Sequence, residues 1–279
     1  MRNGIRTAMM AAGLAAVVSL AIGTAVLRGQ APAGRGAAPA ARVPRTADGK
    51  PNLNGIWQVL VSANWNLEDH GASAGPFFQE GAVGAIPAGQ SIVEGGDIPY
   101  TPAALAKRNE NARNRLTLDP EVKCYMPGIP RANYMPYPFQ IVQSPQNILF
   151  AYEYASSNRV VNMGKPTEAP VDSWMGWSNG KWEGDTLVVD VTGLNGNAWL
   201  DRAGNYTTDN THVVERFTLM DADHINYEAT VTDSKLFTRP WKLNVVLYKH
   251  LEKNFQLLEF KCVEFAEEML YGHLRKRYN

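Results

Sequence analysis

From Gly55 onward, apolar side chains recur mostly at every second position, and short polar clusters interrupt the pattern. Alternation of this kind puts successive side chains on opposite faces of an extended strand. The runs are Gly55 to Val61, Phe139 to Gln143, Asn147 to Tyr154, Arg159 to Met163 and Trp174 to Ser178. They continue as Thr186 to Thr192, Thr211 to Leu219, His224 to Thr232, Lys242 to His250 and Phe255 to Val263. Turn-forming residues stand between them: Ser144-Pro145-Gln146, Ser156-Ser157-Asn158, Asn179-Gly180, Glu183-Gly184-Asp185, Asp221-Ala222-Asp223 and Glu252-Lys253-Asn254. Most neighbours lack a helix-length gap, so the pattern predicts antiparallel pairing without parallel crossovers. The fold class is mainly β: an antiparallel barrel, or a sandwich of two packed sheets, hides its strand edges.

Two helices are expected beside the strands. Thr101 reads as an N-cap with Pro102 at the first helical position, opening a helix to about Leu116. Lys107, Arg108, Arg113 and Arg115 lie toward its negative end. Glu264 to Leu274 brings Phe265, Met269, Leu270 and Leu274 to one side and reads as a helix lying on the sheet. The stretch Ser62 to Tyr100, with seven glycines and no period, is either a cover over one end of the sheet structure or a surface excursion.

The N-terminal end changes the domain picture. Two arginines precede the uncharged stretch Thr7 to Leu27, and Arg28 closes it, the layout of an export signal over residues 1–28. A retained anchor is the other reading, although the stretch is diluted by Ala, Gly, Ser and Thr. Residues 29–50 are dominated by Ala, Pro, Gly and Arg and read as a flexible tether. A single β-rich domain then occupies 51–279. A periplasmic or secreted location follows, with no stable membrane insertion after signal cleavage. In that compartment Cys124 and Cys262 can pair as a disulfide, the alternative being two buried thiols. The chain has 27 basic and 27 acidic residues, but six of the arginines fall within residues 1–45, so the remainder is net acidic. Nucleic acid as a partner is disfavoured, because phosphate neutralisation needs clustered Lys and Arg.

Few motifs carry chemistry. Gly71-Ala72-Ser73-Ala74-Gly75 fits the spacing of a nucleophile elbow, but that elbow needs a strand entering and a helix leaving, and neither flanks it. The five histidines have no H-x-x-x-H or H-x-H spacing, Asp221-Ala222-Asp223 lacks the rest of a calcium loop, and no nucleotide-binding glycine motif occurs. No motif supports a metal or a cofactor. What remains is polar groups on apolar strand faces: Glu215 beside Val213, Phe217 and Leu219, and Glu153 beside Leu149 and Ala151. An inward carboxylate needs a partner, and Arg159, Arg216 and opposite-face His212 are nearby. A fold-locking ion pair is one reading. A catalytic acid or base at Glu153, Glu215 or His212 is the other. Trp177, Trp182, Trp199 and Trp241 fall within or beside strands, as core or as walls of a cavity.

Longer motifs carry a resemblance. Asp119-Pro120, Cys124 and Pro127-Gly128-Ile129-Pro130-Arg131 are followed by Trp182-Glu183-Gly184-Asp185-Thr186-Leu187-Val188-Val189-Asp190, and later by Glu215-Arg216-Phe217 and Pro240-Trp241. With the opening Pro51-Asn52-Leu53-Asn54-Gly55-Ile56-Trp57, this resembles a family of exported bacterial proteins abundant in acidobacteria. The resemblance implies export and one β-rich domain, and supplies no reaction. The end, Cys262-Val263-Glu264-Phe265-Ala266, departs from that pattern. Gly55-Ile56-Trp57 also resembles the G-x-W opening of lipocalins, which implies a lipocalin-like barrel. The function expected is an exported protein binding a small hydrophobic or aromatic molecule, with Trp177, Trp182, Trp199, Trp241, Arg159 and Arg216 as ligand-binding candidates. The alternatives are a cofactor-independent lyase, isomerase or hydrolase, and a cell-envelope interaction protein.

Overall fold

The computed structural model describes residues 43–75 and 85–260. Nine strands close into one barrel in chain order: β1 (Gly55–Val59), β2 (Phe139–Gln143), β3 (Asn147–Tyr152), β4 (Asn158–Asn162), β5 (Trp177–Glu183), β6 (Thr186–Thr192), β7 (His212–Leu219), β8 (His224–Thr232) and β9 (Trp241–Lys249). The ring closes where β1 pairs with β9, Trp57 opposite Lys249 and Val59 opposite Leu247. Residues 255–260 of the tenth expected strand form no strand.

Every neighbouring pair is antiparallel except one. β4 and β5 run parallel, through the two register pairs Val161 with Ser178 and Asn162 with Asn179. The expectation of no parallel pair is corrected here. Residues 163–176 form a connection long enough to return the chain to the same end of the barrel. β5 also starts later than expected and runs through Asn179-Gly180, which is therefore strand and not a turn. A Cβ at Gly180 would lie 2.5 Å from Met163 Sδ and 2.6 Å from Val161 Cγ1, so the glycine makes room for neighbours from β4 and the returning connection.

Alternation sets the core. Val213, Glu215, Phe217 and Leu219 of β7 are buried, as are Ile225, Tyr227, Ala229 and Val231 of β8, and Trp241, Leu243, Val245 and Leu247 of β9. On β3 the buried set is Ile148, Phe150 and Tyr152, the opposite phase to the one expected. That face carries more apolar area than Leu149 and Ala151, and burial follows area. Trp57 is fully buried, and its indole N–H donates to the Leu53 carbonyl at 2.9 Å. Lys249 Nζ lies 5.4 Å from the Trp57 ring centroid, and a Cβ at residue 55 would come within 2.6 Å of Lys249 Cε. The glycine of Gly-x-Trp thus clears the space in which the lysine stem crosses the tryptophan.

Outside the barrel, α1 (Pro102–Arg113) begins as expected, with the Thr101 hydroxyl accepting from Ala104 N. It is followed by the single turn α2 (Arg115–Leu118). The described residues of the excursion from Ser62 to Tyr100 contribute to the core. Its Leu67, Val93 and Ile98 are core residues, and Ile92 to Glu94 lie along β9, with Val93 opposite Leu243, beyond the point where β1 ends. The expected export signal, most of the tether, the Glu264 to Leu274 helix and Cys262 lie outside the described residues. Among the described residues no helix is long and apolar enough to cross a membrane.

Crowding at Gly180 makes its replacement a direct check on the packing of β5 against β4. Gly180→Val should cost about 1–3 kcal/mol in urea denaturation. Gly71→Ala, where an added Cβ has no atom within 4 Å, should change stability by less than about 0.5 kcal/mol.

Candidate functional site

Period-two alternation on β7 turns Glu215 into the barrel, where it has no exposure to solvent. Alternation on β4 turns Arg159 toward it. Arg159 Nη1 donates to Glu215 Oε2 at 2.6 Å, and Nη2 to Oε1 at 3.1 Å. Asn133 Nδ2 and the Tyr227 hydroxyl donate to Oε1 at 2.6 and 2.8 Å, and the Tyr152 hydroxyl steadies Asn133 by donating to its Oδ1 at 2.8 Å. The guanidinium also lies over the Phe150 ring, 4.7 Å from its centroid. Burial opposes the charge on Arg159, but the attraction of Glu215 and the nearby Tyr152 outweighs it and holds the pKa above its ordinary value. Burial and then the Glu215 charge push the Tyr227 hydroxyl well above the usual tyrosine range, so it remains a donor.

Asn133 reaches this pair from the segment 128–134, in which Ile129, Ala132, Asn133 and Tyr134 are all buried. The segment is anchored by a second ionic cluster. Arg131 donates from Nε to Asn64 at 2.8 Å, from Nη1 to Asp119 at 3.3 Å and from Nη2 to Glu121 at 2.6 Å. Arg202 makes two 2.6 Å bonds to the same Glu121 and lies over Trp65, 4.0 Å from its centroid. Burial raises Asp119. It also works against the charge on Glu121, yet Arg131 and Arg202 bring that carboxyl below its usual range. Burial lifts Asp201 to about 6, although it accepts from Leu67 N, Ala203 N and Asn205.

Rings also occupy the barrel: Phe150 with Phe217 at 5.3 Å, Phe217 with Tyr227 at 4.9 Å and Phe139 with Tyr152 at 5.3 Å. A cavity lies instead at the seam. β4 and β5 pair only at Val161 and Asn162, so the chain before these residues parts from the chain leading into β5. The opening is a cleft of about 790 Å³ whose lining includes Arg159, Ser178, Trp174, Trp177, Asn147 and Asn158. Arg159 Nε is buried and has no hydrogen-bond partner among the described residues. Trp174 stacks on Tyr125 at 5.1 Å, and Trp177 Nε1 donates to Thr167 at 3.1 Å, so both indoles are braced.

The residues singled out in the sequence divide accordingly. Glu215 and Arg159 meet, and Arg159 and Trp177 share the cleft. The remainder do not join them. His212 and Arg216 occupy the outer face of β7, bonded to Asp190 at 3.1 Å and Glu183 at 3.0 Å. Glu153 lies past the end of β3 and accepts from Leu258 N at 2.7 Å, so it is not an inward strand residue. Trp199 and Trp241 are buried and Trp182 packs against the core; none of the three lines the cleft. Cys124 follows a 3₁₀ turn, Pro120–Lys123, in a left-handed conformation. Ser73 lies outside any strand or helix among the described residues, its backbone bridged to Ile86. Sequence reasoning missed Asn133, Tyr152, Tyr227 and Ser178. For Asn133 the signal was the Pro-Gly-Ile-Pro-Arg run just before it, and for Tyr227 its phase on β8. Among the described residues, no group of three or more His, Cys, Asp or Glu side chains is placed to hold a metal ion. No protein-family model and no curated protein matches the chain.

Two outcomes follow from the buried charges. Tyr227→Phe removes one donor from Glu215 and should cost about 1.5–3 kcal/mol in urea denaturation; a change below about 0.5 kcal/mol would contradict the closed donor set. Asp201 has a folded pKa above its reference value of 3.8, so its stabilising contribution is complete below that pH and is lost as pH rises through about 6. The stability of the native chain minus that of Asp201→Asn should therefore fall, on the order of 2–3 kcal/mol, between pH 4 and pH 7.

Proposed function

We propose that this is an exported protein that holds a small molecule with a flat face in the cleft between β4 and β5. The observation that carries the reading is a cleft walled by two braced indoles, with an ion-paired, buried arginine in its lining. The cleft volume falls within the range of small-molecule sites, and its fixed aromatic walls need little reordering on binding. Exposed apolar side chains at its rim, Met126 and Val160, extend the contact surface available to such a molecule.

Binding is favoured over catalysis by the placement of the ionisable candidates. Glu215 is enclosed by four donated hydrogen bonds and is remote from solvent, while His212 and Glu153 are engaged elsewhere. Arg159 is thereby a fixed donor, not a proton carrier. Export through residues 1–28, a periplasmic or secreted location and a Cys124–Cys262 disulfide belong to the same proposal, since that bond forms in an oxidising compartment.

Native mass spectrometry after incubation with a protein-free cell extract tests the reading. A bound species of small-molecule mass, recovered chemically unchanged and weakened at least tenfold by Trp177→Ala in a folded variant, is the expected result. Conversion of the species to a product, or retention undiminished in Trp177→Ala, would contradict it.

A further inference from the structure

We infer that the molecule held at the seam is a neutral saccharide, bound with the C–H face of a ring against the indoles and its hydroxyl edge toward the amides. This rests on the small-molecule reading above and adds the chemical class. Three observations select it.

The first is charge. Arg159 is the cationic side chain lining the cleft, and its charge is already answered by Glu215 through contacts of 2.6 and 3.1 Å. The other ionisable side chain in the lining, Asp172, is exposed to solvent and negative. An anionic ligand would meet a neutralised guanidinium and an unanswered carboxylate, so carboxylates and phosphates are disfavoured. A cationic ligand would have one solvent-screened carboxylate to pair with, a contact of small value.

The second is the polar lining. Asn147, Asn158, Asn162 and Asn195 border the cleft, as do Ser173 and Ser178, whose hydroxyls are engaged with Gly176 O and Arg159, and the Asn195 amide oxygen accepts from Asn197 N. Asn162 is committed to Lys165 O and Asn179, whereas Asn147 and Asn158 are exposed at the opening. A side-chain amide both donates and accepts, and so does a hydroxyl group. A purely apolar ligand would desolvate these groups without replacing their water, and a ligand carrying acceptors alone would leave the amide oxygens unmatched. A ring edged with hydroxyls satisfies both halves of each amide.

The third is the pair of flat walls. Trp174, stacked on Tyr125, and Trp177, tied to Thr167, line the cleft with large aromatic rings whose positions are fixed by those contacts. Such faces suit a ring that is apolar on its face and polar on its rim. The volume of about 790 Å³ accommodates more than a single ring.

The test uses the mature full-length protein on an array of neutral oligosaccharides, with calorimetry on the hits. The comparison probes are 1-naphthol for a flat apolar ligand, benzoate for an anion and tetramethylammonium for a cation. Supporting results are a neutral oligosaccharide that binds, a loss of at least tenfold in affinity with Trp177→Ala, and a loss of at least threefold with Asn158→Ala. Each variant should keep the native circular dichroism spectrum and melting transition. Trp177→Phe, which keeps a ring in place, should lose less than Trp177→Ala. Binding of 1-naphthol, benzoate or tetramethylammonium that depends on Trp177, with no oligosaccharide bound, would overturn the saccharide assignment and leave the small-molecule site standing. Oligosaccharide binding untouched by both variants would overturn the assignment of the cleft. No Trp177-dependent binding of any probe, on the array or by calorimetry, would overturn the saccharide class together with the site.

Discussion

A carboxylate with no exposure to water must be answered by donors from the protein, and Glu215 draws its donors from distant parts of the chain. Arg159 comes from β4, Tyr227 from β8 and Asn133 from the segment 128–134, itself steadied by Tyr152 of β3. Buried charge tolerates an incomplete shell poorly, so these elements have to arrive together for any of them to be stable. The pair accounts for two features that are otherwise unrelated. It ties the segment 128–134 to β7 through Asn133, and it fixes a guanidinium directly under the seam.

The seam exists because the strand order contains one parallel step. A hairpin would have paired β5 along the whole of β4, whereas the returning connection leaves two paired positions and a gap before them. Residue 173, just before β5, bonds instead to the chain after β6, with Ser173 N donating to Gly193 O and Asn195 N to Ser173 O. One wall of the cleft is therefore held by β6 and the other by β3, which pairs with β4 at Phe150 and Arg159. Both walls belong to well-paired parts of the sheet, so the opening is a standing feature of the barrel and does not require a moving lid. The ionic cluster around Arg131 and Glu121 acts at a separate place, where it binds the chain near Asn64, Asp119 and Arg202 into one unit.

Much of this could be read in advance. Strand phases on β6 to β9 follow from alternation, because those strands pair along most of their length and the apolar row wins burial. The inward Glu215 and its partner Arg159 were visible as a charge on an apolar face. Three things were hidden. The phase of β3 depends on comparing two partly apolar faces, and Glu153 was placed inward by choosing the smaller one. The parallel step was masked because Asn179-Gly180 has turn composition, and only the contacts of Met163 and Val161 reveal why a glycine is needed inside a strand. Asn133 comes from a segment with no period and acts through tertiary contacts that spacing does not encode. Tryptophans were poor guides for the same reason: burial in core and exposure in a cleft look alike in sequence, so Trp177 was found together with Trp199 and Trp241, which do something else.

The central claim is that the Arg159–Glu215 pair organises the barrel and holds a donor at the seam. A double-mutant cycle with Arg159→Met and Glu215→Gln, measured by urea denaturation, tests it most directly. Each single change leaves a buried charge unanswered and should cost about 3–5 kcal/mol, whereas the double variant should cost less than the sum by about 2 kcal/mol or more. Strictly additive losses, or single losses below about 1 kcal/mol, would contradict the account.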